Sequence, residues 1–251
     1  MSLLRETLLL VGSWCALACA PARLQAVELG PDTLGRELLA HWAFDDAAGS
    51  VARNASENSP DGLWNGQLTG GTWLDDGRFG GALRLGDAEY VSVQNFPGAT
   101  SSYSASAWVR FPNGVPATNE RWTTVVSTED SGGWEINVVH ETTPASLHFG
   151  FWIGPNSGDY EGFDCPGKPL DRWSQVAFVV DTTVSTITVY RDGKPCFAGS
   201  NEHQILPGSK TLTIGSWPFN GRYLAGDVDD IAIWGRALEP AEVALLVSSP
   251  P

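Results

Sequence analysis

At 251 residues the chain has room for one large β domain. A formal net charge of -14 excludes nucleic acid and anionic membrane surfaces as partners, because both demand a basic footprint. It leaves divalent cations and neutral ligands open.

Residues 1–26 read as an export signal. Arg5 gives a weak positive start, an apolar run from Leu8 to Ala20 is too short to span a bilayer, and Leu24-Gln25-Ala26 offers a cleavage site. Ala16-Leu17-Ala18-Cys19 offers an alternative, lipoprotein processing with lipidation at Cys19. No later stretch is apolar enough for a transmembrane helix. Residues 27–38 form a linker or edge segment, 39–246 one domain, and 247–251 a tail. Beyond the signal only Cys165 and Cys196 remain. An even pair in an exported chain points to one disulfide, closing a loop of about thirty residues.

The first alternating run is 39–44, followed by the turn-rich stretch 54–62, crowded with side-chain and backbone oxygens. Strand patterns recur at 80–85, 90–93, 103–111, 122–126, 134–139, 147–153, 173–180, 186–190, 211–214 and 228–234. Asp192-Gly193 marks a hairpin turn. Only 239–246 is helical in pattern, with Pro240 early and acids in its first turn. About a dozen short strands and one terminal helix predict an all-β sandwich or barrel.

The last strand carries Asp227, Asp229 and Asp230. By the two-residue period Asp229 shares a face with Ile231 and Ile233, where an acid needs a hydrogen-bonding or cationic partner. Asp230 points the other way, toward a pairing with Arg236.

Three ordered stretches carry a resemblance. They are His41-Trp42-Ala43-Phe44-Asp45-Asp46, then Gly77-Arg78-Phe79-Gly80-Gly81-Ala82-Leu83-Arg84-Leu85, and the Asp229-Asp230 strand with Arg236-Ala237-Leu238-Glu239. Together they resemble the LamG-like jelly roll of the concanavalin A-like lectin and glucanase superfamily. The resemblance implies two curved antiparallel sheets face to face, first and last strands meeting, and often a structural Ca²⁺ at their junction. It assigns Asp45, Asn54 and Asp229 as ligands, with Asn54 standing where the family often has an acid. The metal-free alternative has Asp45 and Asp229 capping turns and accepting backbone N–H groups. The fold hosts enzymes, lectins and adhesive modules alike.

For catalysis, the glucanase patterns Glu-x-Asp-x-Glu and Glu-x-Asp-x-x-Glu are absent. Residues 134–139 hold the single acid Glu135, and Glu141 lies about 20 Å further along an extended strand. His140 and His148 face each other across a possible hairpin. Binding has more support. Trp42, Trp108, Trp173 and Trp234 fit core positions of the family. Trp152 shares a face with His148, Gly150 and Gly154, which leave room for a stacking ligand. Trp134, Trp217 and Tyr160 are the next candidates, Tyr160 lying on a long 154–169 loop tethered by Cys165. The reading is an exported, non-catalytic module for carbohydrate or a cell-surface protein. Its alternatives are a polysaccharide hydrolase with an unfamiliar carboxylate pair, and a purely structural surface module.

Overall fold

The structure, a computed structural model, describes residues 33–98, 101–115, 122–129, 132–139, 146–152, 160–167, 171–200, 206–208, 210–218 and 221–251. The export signal, Cys19, His140 and Glu141 lie outside the described residues.

In chain order the strands are β1 (Leu38–Trp42), β2 (Val51–Ala52), β3 (Gly66–Thr69), β4 (Thr72–Leu74), β5 (Ala82–Leu85) and β6 (Tyr90–Gln94). Then come β7 (Tyr103–Arg110), β8 (Trp122–Ser127), β9 (Trp134–Val139), β10 (Ser146–Trp152) and β11 (Tyr160–Cys165). The series ends with β12 (Ser174–Asp181), β13 (Thr186–Arg191), β14 (Lys194–Ser200), β15 (Thr211–Ile214) and β16 (Gly226–Trp234), before helix α1 (Pro240–Leu245).

They form two antiparallel sheets. Sheet I runs β14-β13-β12-β7-β16-β5-β4, with β1 also paired to β16; sheet II runs β11-β10-β9-β8-β15-β6-β3-β2. Alternation explains the core. Ala105, Ala107 and Val109 of β7, and Val176, Phe178 and Val180 of β12, face Trp134, Ile136 and Val138 of β9 and Leu147, Phe149 and Phe151 of β10. Phe149 stacks on Phe178 across the interface at 3.8 Å between centroids. The Cys165–Cys196 disulfide forms as expected, with Cα atoms 5.5 Å apart, and ties edge strand β11 of sheet II to edge strand β14 of sheet I.

A second apolar cluster lies on the outer face of sheet I. Ala177, Val179, Tyr190, Ala232 and Trp234 are covered there by Leu238, Val243 and Leu246 of the C-terminal segment and by Leu34 and Leu38. Residues 33–38, expected as linker or edge, are thus part of the fold: the Leu34 carbonyl accepts the Trp234 indole N–H at 2.7 Å. Glu239 and Glu242 form a reciprocal capping box at the start of α1.

Strand β16 corrects the sequence reading. A bulge between Asp229 and Ala232, with Asp230 at φ 42°, inserts a residue and reverses the alternation. Val228 therefore joins Ile231 and Ile233 in the core, while Asp229 turns to the outer face beside Trp108. Its partner is the 77–81 turn: Oδ2 accepts the backbone N–H groups of Arg78 (2.6 Å) and Phe79 (3.0 Å), and Oδ1 that of Asp230 (2.8 Å). Asp230 pairs not with Arg236 but with His41 Nε2, at 2.7 Å. Arg236 instead forms a bidentate pair with buried Glu242 at 2.7 and 2.8 Å.

Candidate functional site

Residues that alternate away from the core on sheet II gather into one polar and aromatic patch. On β9 the inward parity of Trp134, Ile136 and Val138 sends Glu135 and Asn137 outward. On β10 the same rule turns out His148, Gly150 and Trp152, which stand beside Asn137, Glu135 and Tyr160 in the ladders. A bulge between Thr124 and Val126 keeps Thr124 outward next to Asn137. Residues 221–224 close one side, the Arg222 carbonyl accepting the Thr124 N–H at 2.8 Å.

Two glycines make the patch possible. A Cβ on Gly150 would strike the Tyr160 phenol, and one on Gly162 the His148 ring. Both rings therefore lie flat against bare backbone, stacked with centroids 6.0 Å apart and planes 14° apart. The Trp122 ring stacks on His148 at 5.8 Å, and Trp152 meets Tyr160 edge-on at 5.4 Å. Arg222 sits over Trp122 at 4.9 Å and over Trp217 at 4.7 Å. Trp122, Trp152, Tyr160, Trp217 and Arg222 are all half-buried, so the patch has a solvent-facing rim.

Its floor is acidic. Glu135 is fully buried; Oε1 accepts the Tyr160 O–H at 2.9 Å, and Oε2 lies 3.4 Å from Arg222 Nη1. Burial first, and then the adjacent Glu129 by charge and by hydrogen bond, push Glu135 up to about 8. Arg222 opposes this shift without cancelling it. Glu129 accepts the Trp217 indole N–H at 2.6 Å and lies 3.7 Å from Arg222. Burial, then Glu135, raise the Tyr160 phenol above its ordinary range. His148 completes the network, Nδ1 at 2.7 Å from Asp164 and Nε2 at 2.8 Å from the Tyr160 oxygen.

Of the sequence candidates, Trp152, Trp217 and Tyr160 come together here. Trp134 does not: it is 1% exposed, and its ring packs between the sheets against Tyr103 (5.6 Å) and Phe178 (5.0 Å). Its parity with Ile136 and Val138 was the signal for that. Tyr160 belongs not to a loop but to strand β11, paired along its length with β10. Sequence reasoning missed Glu129, Arg222, Trp122, Thr124 and Asn137, and dismissed Glu135 as a lone acid. The outward parity of β9 could have found Glu135 and Asn137; Glu129 and Arg222 arrive from loops.

The proposed calcium ligands lie away from this patch: Asp229 is on β16 of sheet I, and Asp45 and Asn54 are in the segments that follow β1 and β2. Asp45 Oδ1 accepts the Gly81 N–H at 2.5 Å, so Asp45 and Asp229 grip the same 77–81 turn. Asn54 does not fit a ligand role: its Oδ1 accepts the N–H groups of His41 (2.9 Å) and Ser56 (3.1 Å), and its amide donates to the Leu63 carbonyl. Burial first, and then Asp230, push Asp229 up to about 8. Asp230 Oδ2 is buried with no hydrogen-bond partner. Among the described residues no three His, Cys, Asp or Glu side chains cluster as a metal site.

The model of a family described as the concanavalin A-like lectin/glucanases superfamily matches residues 85–244. No curated protein sequence matches the chain significantly. Among solved structures, the chain is similar to domain 4 of AbnA, a GH43 extracellular arabinanase from Geobacillus stearothermophilus, in complex with arabinotriose. The two are 24% identical with a TM-score of 0.61, over 84% of this chain and 98% of that one. A structure of botulinum neurotoxin type C, whose cell entry is dependent upon interaction with two ganglioside molecules, is 16% identical with a TM-score of 0.64, over 88% of this chain and 53% of that one. The binding domain of Paraclostridial Mosquitocidal Protein 1 is 20% identical with a TM-score of 0.62, over 85% of this chain and 52% of that one. The chain thus spans about half of each toxin binding domain. These likenesses establish the jelly-roll fold.

Proposed function

We propose that this chain, which belongs to the concanavalin A-like lectin/glucanase superfamily, is a binding module that takes a neutral carbohydrate on the outer face of sheet II. The observation that carries the reading is the half-buried aromatic rim of Trp122, Trp152, Tyr160 and Trp217 around a polar floor. Aromatic rings supply apolar faces for the C–H side of a sugar, and a buried polar floor supplies hydrogen bonds to its hydroxyls. The acids select against anionic sugars. Glu129, Glu135 and Asp164 lie in the patch, and both glutamates already engage its arginine. The arabinotriose bound by the arabinanase domain, a neutral sugar, supports this reading.

The carboxyl pair also bears on hydrolysis. Glu129 and Glu135 converge on one guanidinium, at 3.7 and 3.4 Å from Arg222 Nη1. Glycosidases hold their carboxyls roughly 5–5.5 Å apart when retaining, or 6.5–9.5 Å when inverting, with the scissile bond between them. Here both carboxyls are turned onto one arginine, with Glu135 buried beneath the Tyr160 phenol, rather than set on either side of an open groove, so binding is the better reading. A protein partner or a purely structural role is the remaining alternative. Isothermal titration with neutral oligosaccharides separates them. Wild-type chain binds at least one, and Trp152→Ala or Trp217→Ala weakens it about tenfold or more. A flat response across the panel rejects carbohydrate.

Calcium and export belong to the same proposal. Ca²⁺ would be held by Asp45 and Asp229, the carboxylates expected as its ligands, with the unpartnered Asp230 Oδ2 as a further hard oxygen donor, and would neutralise the charge crowded at the strand junction. The disulfide supports an oxidising compartment, and so export. Among the described residues no helix is long and apolar enough to cross a membrane.

A further inference from the structure

Resting on the carbohydrate reading of this face, we propose that Asn137, with Thr124 beside it, is the anchor that takes a vicinal pair of sugar hydroxyls and decides which neutral sugar binds. Asn137 is fully buried at the centre of β9, and neither its Oδ1 nor its Nδ2 has a hydrogen-bond partner. Its ladder neighbour Thr124 is fully buried too, and its Oγ1 is equally unpartnered. Buried side-chain amides are almost always paired, because an unpaired one forfeits its hydration without return.

The contrast with the surrounding groups is local and sharp. Glu135 is engaged by Tyr160 and Arg222, His148 by Asp164 and Tyr160, and Glu129 by Trp217. Among the described residues of this network, Asn137 lacks partners on both its polar atoms and Thr124 on its hydroxyl, and at the rim the Trp152 indole N–H is likewise unpartnered. Folding does not require it. Leu and Val at these two positions would keep the volume and remove every unmet hydrogen bond, and β9 already carries Ile136, Val138 and Val139. The amide is therefore explained by a ligand.

The chemistry of that ligand follows from the groups. A carboxamide presents one acceptor and one donor side by side, and adjacent hydroxyls of a sugar ring match it because each both donates and accepts. Thr124 Oγ1 adds a third contact on the same face. A carboxylate would meet the Asn137 carbonyl oxygen and the neighbouring Glu135 and Glu129, so a uronate is a poor fit. Trp122 and His148 reach over β9 from the strands on either side and stack. The sugar reaches Asn137 by displacing the half-buried Trp122 ring and taking its place against His148.

The test uses the full chain, a panel of arabinotriose, xylotriose, mannotriose and trigalacturonate, and methyl glycosides of the bound sugar lacking one hydroxyl. Asn137→Leu is expected to melt, without ligand, at the wild-type temperature or a few degrees above it. Its affinity for the trisaccharide that wild type binds falls about 100-fold, and Thr124→Val, which keeps the shape, falls about tenfold. Removing a hydroxyl from the glycoside weakens wild type but leaves Asn137→Leu unchanged. If both variants bind like wild type while Trp152→Ala does not bind, the anchor is wrong and the carbohydrate reading stands. If Asn137→Leu melts far below wild type and Thr124→Val binds normally, the pair serves folding and the anchor is again wrong. A wild-type chain that binds none of the panel overturns the anchor and the reading beneath it.

Discussion

The two outer faces of the sandwich carry similar residue types and use them in opposite ways. On sheet I the face is sealed by α1 and residues 33–38, and polar groups beneath that cover are matched, whereas Asp230 Oδ2 at the strand junction is not. Arg236 is forked onto Glu242, Ser104 Oγ donates to the Arg236 carbonyl and accepts the Leu238 N–H, and Gln175 bonds Ser106. On sheet II the rim is half-open, two acids share one arginine, and an amide and a hydroxyl have no partner. The matched pairs lie under a sealed cover, and the unmatched amide and hydroxyl lie under a half-open aromatic rim. The sealed face holds the fold together; the unmatched one is where a ligand is expected.

This contrast can be broken by substitution. Trp234→Ala on the sealed face removes a fully buried indole and is expected to cost about 3–5 kcal/mol in denaturant unfolding. Trp152→Ala on the open face should cost only about 1 kcal/mol, with its main effect on binding. Equal losses would erase the distinction. Replacing Cys165 and Cys196 together by Ser is expected to cost about 3.5 kcal/mol, because the bridge closes a 31-residue separation between the sheets. A reducing agent that leaves the melting temperature of wild type unchanged would contradict this. Saturating Ca²⁺ should stabilise the strand junction by about 2.7 kcal/mol at a hundredfold excess over its dissociation constant. Identical melting curves in chelator and in Ca²⁺ would remove the metal from the account.

A further expected effect is on pH. Glu135 has an ordinary value of 4.5 and is pushed up to about 8 in the fold. Folding therefore favours its neutral form. That contribution is complete below pH 4.5 and is lost as pH rises through 8. The melting temperature should fall over that window, and Glu135→Gln, which cannot ionise, should reduce the fall, leaving the part due to Asp229, which is shifted the same way. A Gln variant that keeps the full wild-type slope would assign it to other groups.

Much of the fold was legible in the chain, and the site only in part. Inward alternation of 103–111, 134–139 and 147–153 marked the core strands because β-branched and aromatic residues recur there with period two. Strand β11 was hidden. Glu161, Gly162 and Asp164 are poor strand formers, tolerated at a sheet edge where Gly162 is needed for the His148 ring. The bulge at Asp229–Asp230 could not be read from alternation, since one extra residue reverses every face assignment before it. The convergence of Glu129 and Glu135 on Arg222 has no local pattern either. It depends on the register of β8 with β9 and on the return of residues 221–224, both long-range facts.

The central claim is that the outer face of sheet II binds a neutral sugar, and calorimetric titration of wild type and Trp217→Ala with one panel of neutral trisaccharides tests it most directly. The account expects saturable binding of at least one trisaccharide by wild type, weakened about tenfold or more in the variant while both chains melt at similar temperatures. Heat of dilution alone from wild type across the panel, or equal affinity in the two chains, would contradict it.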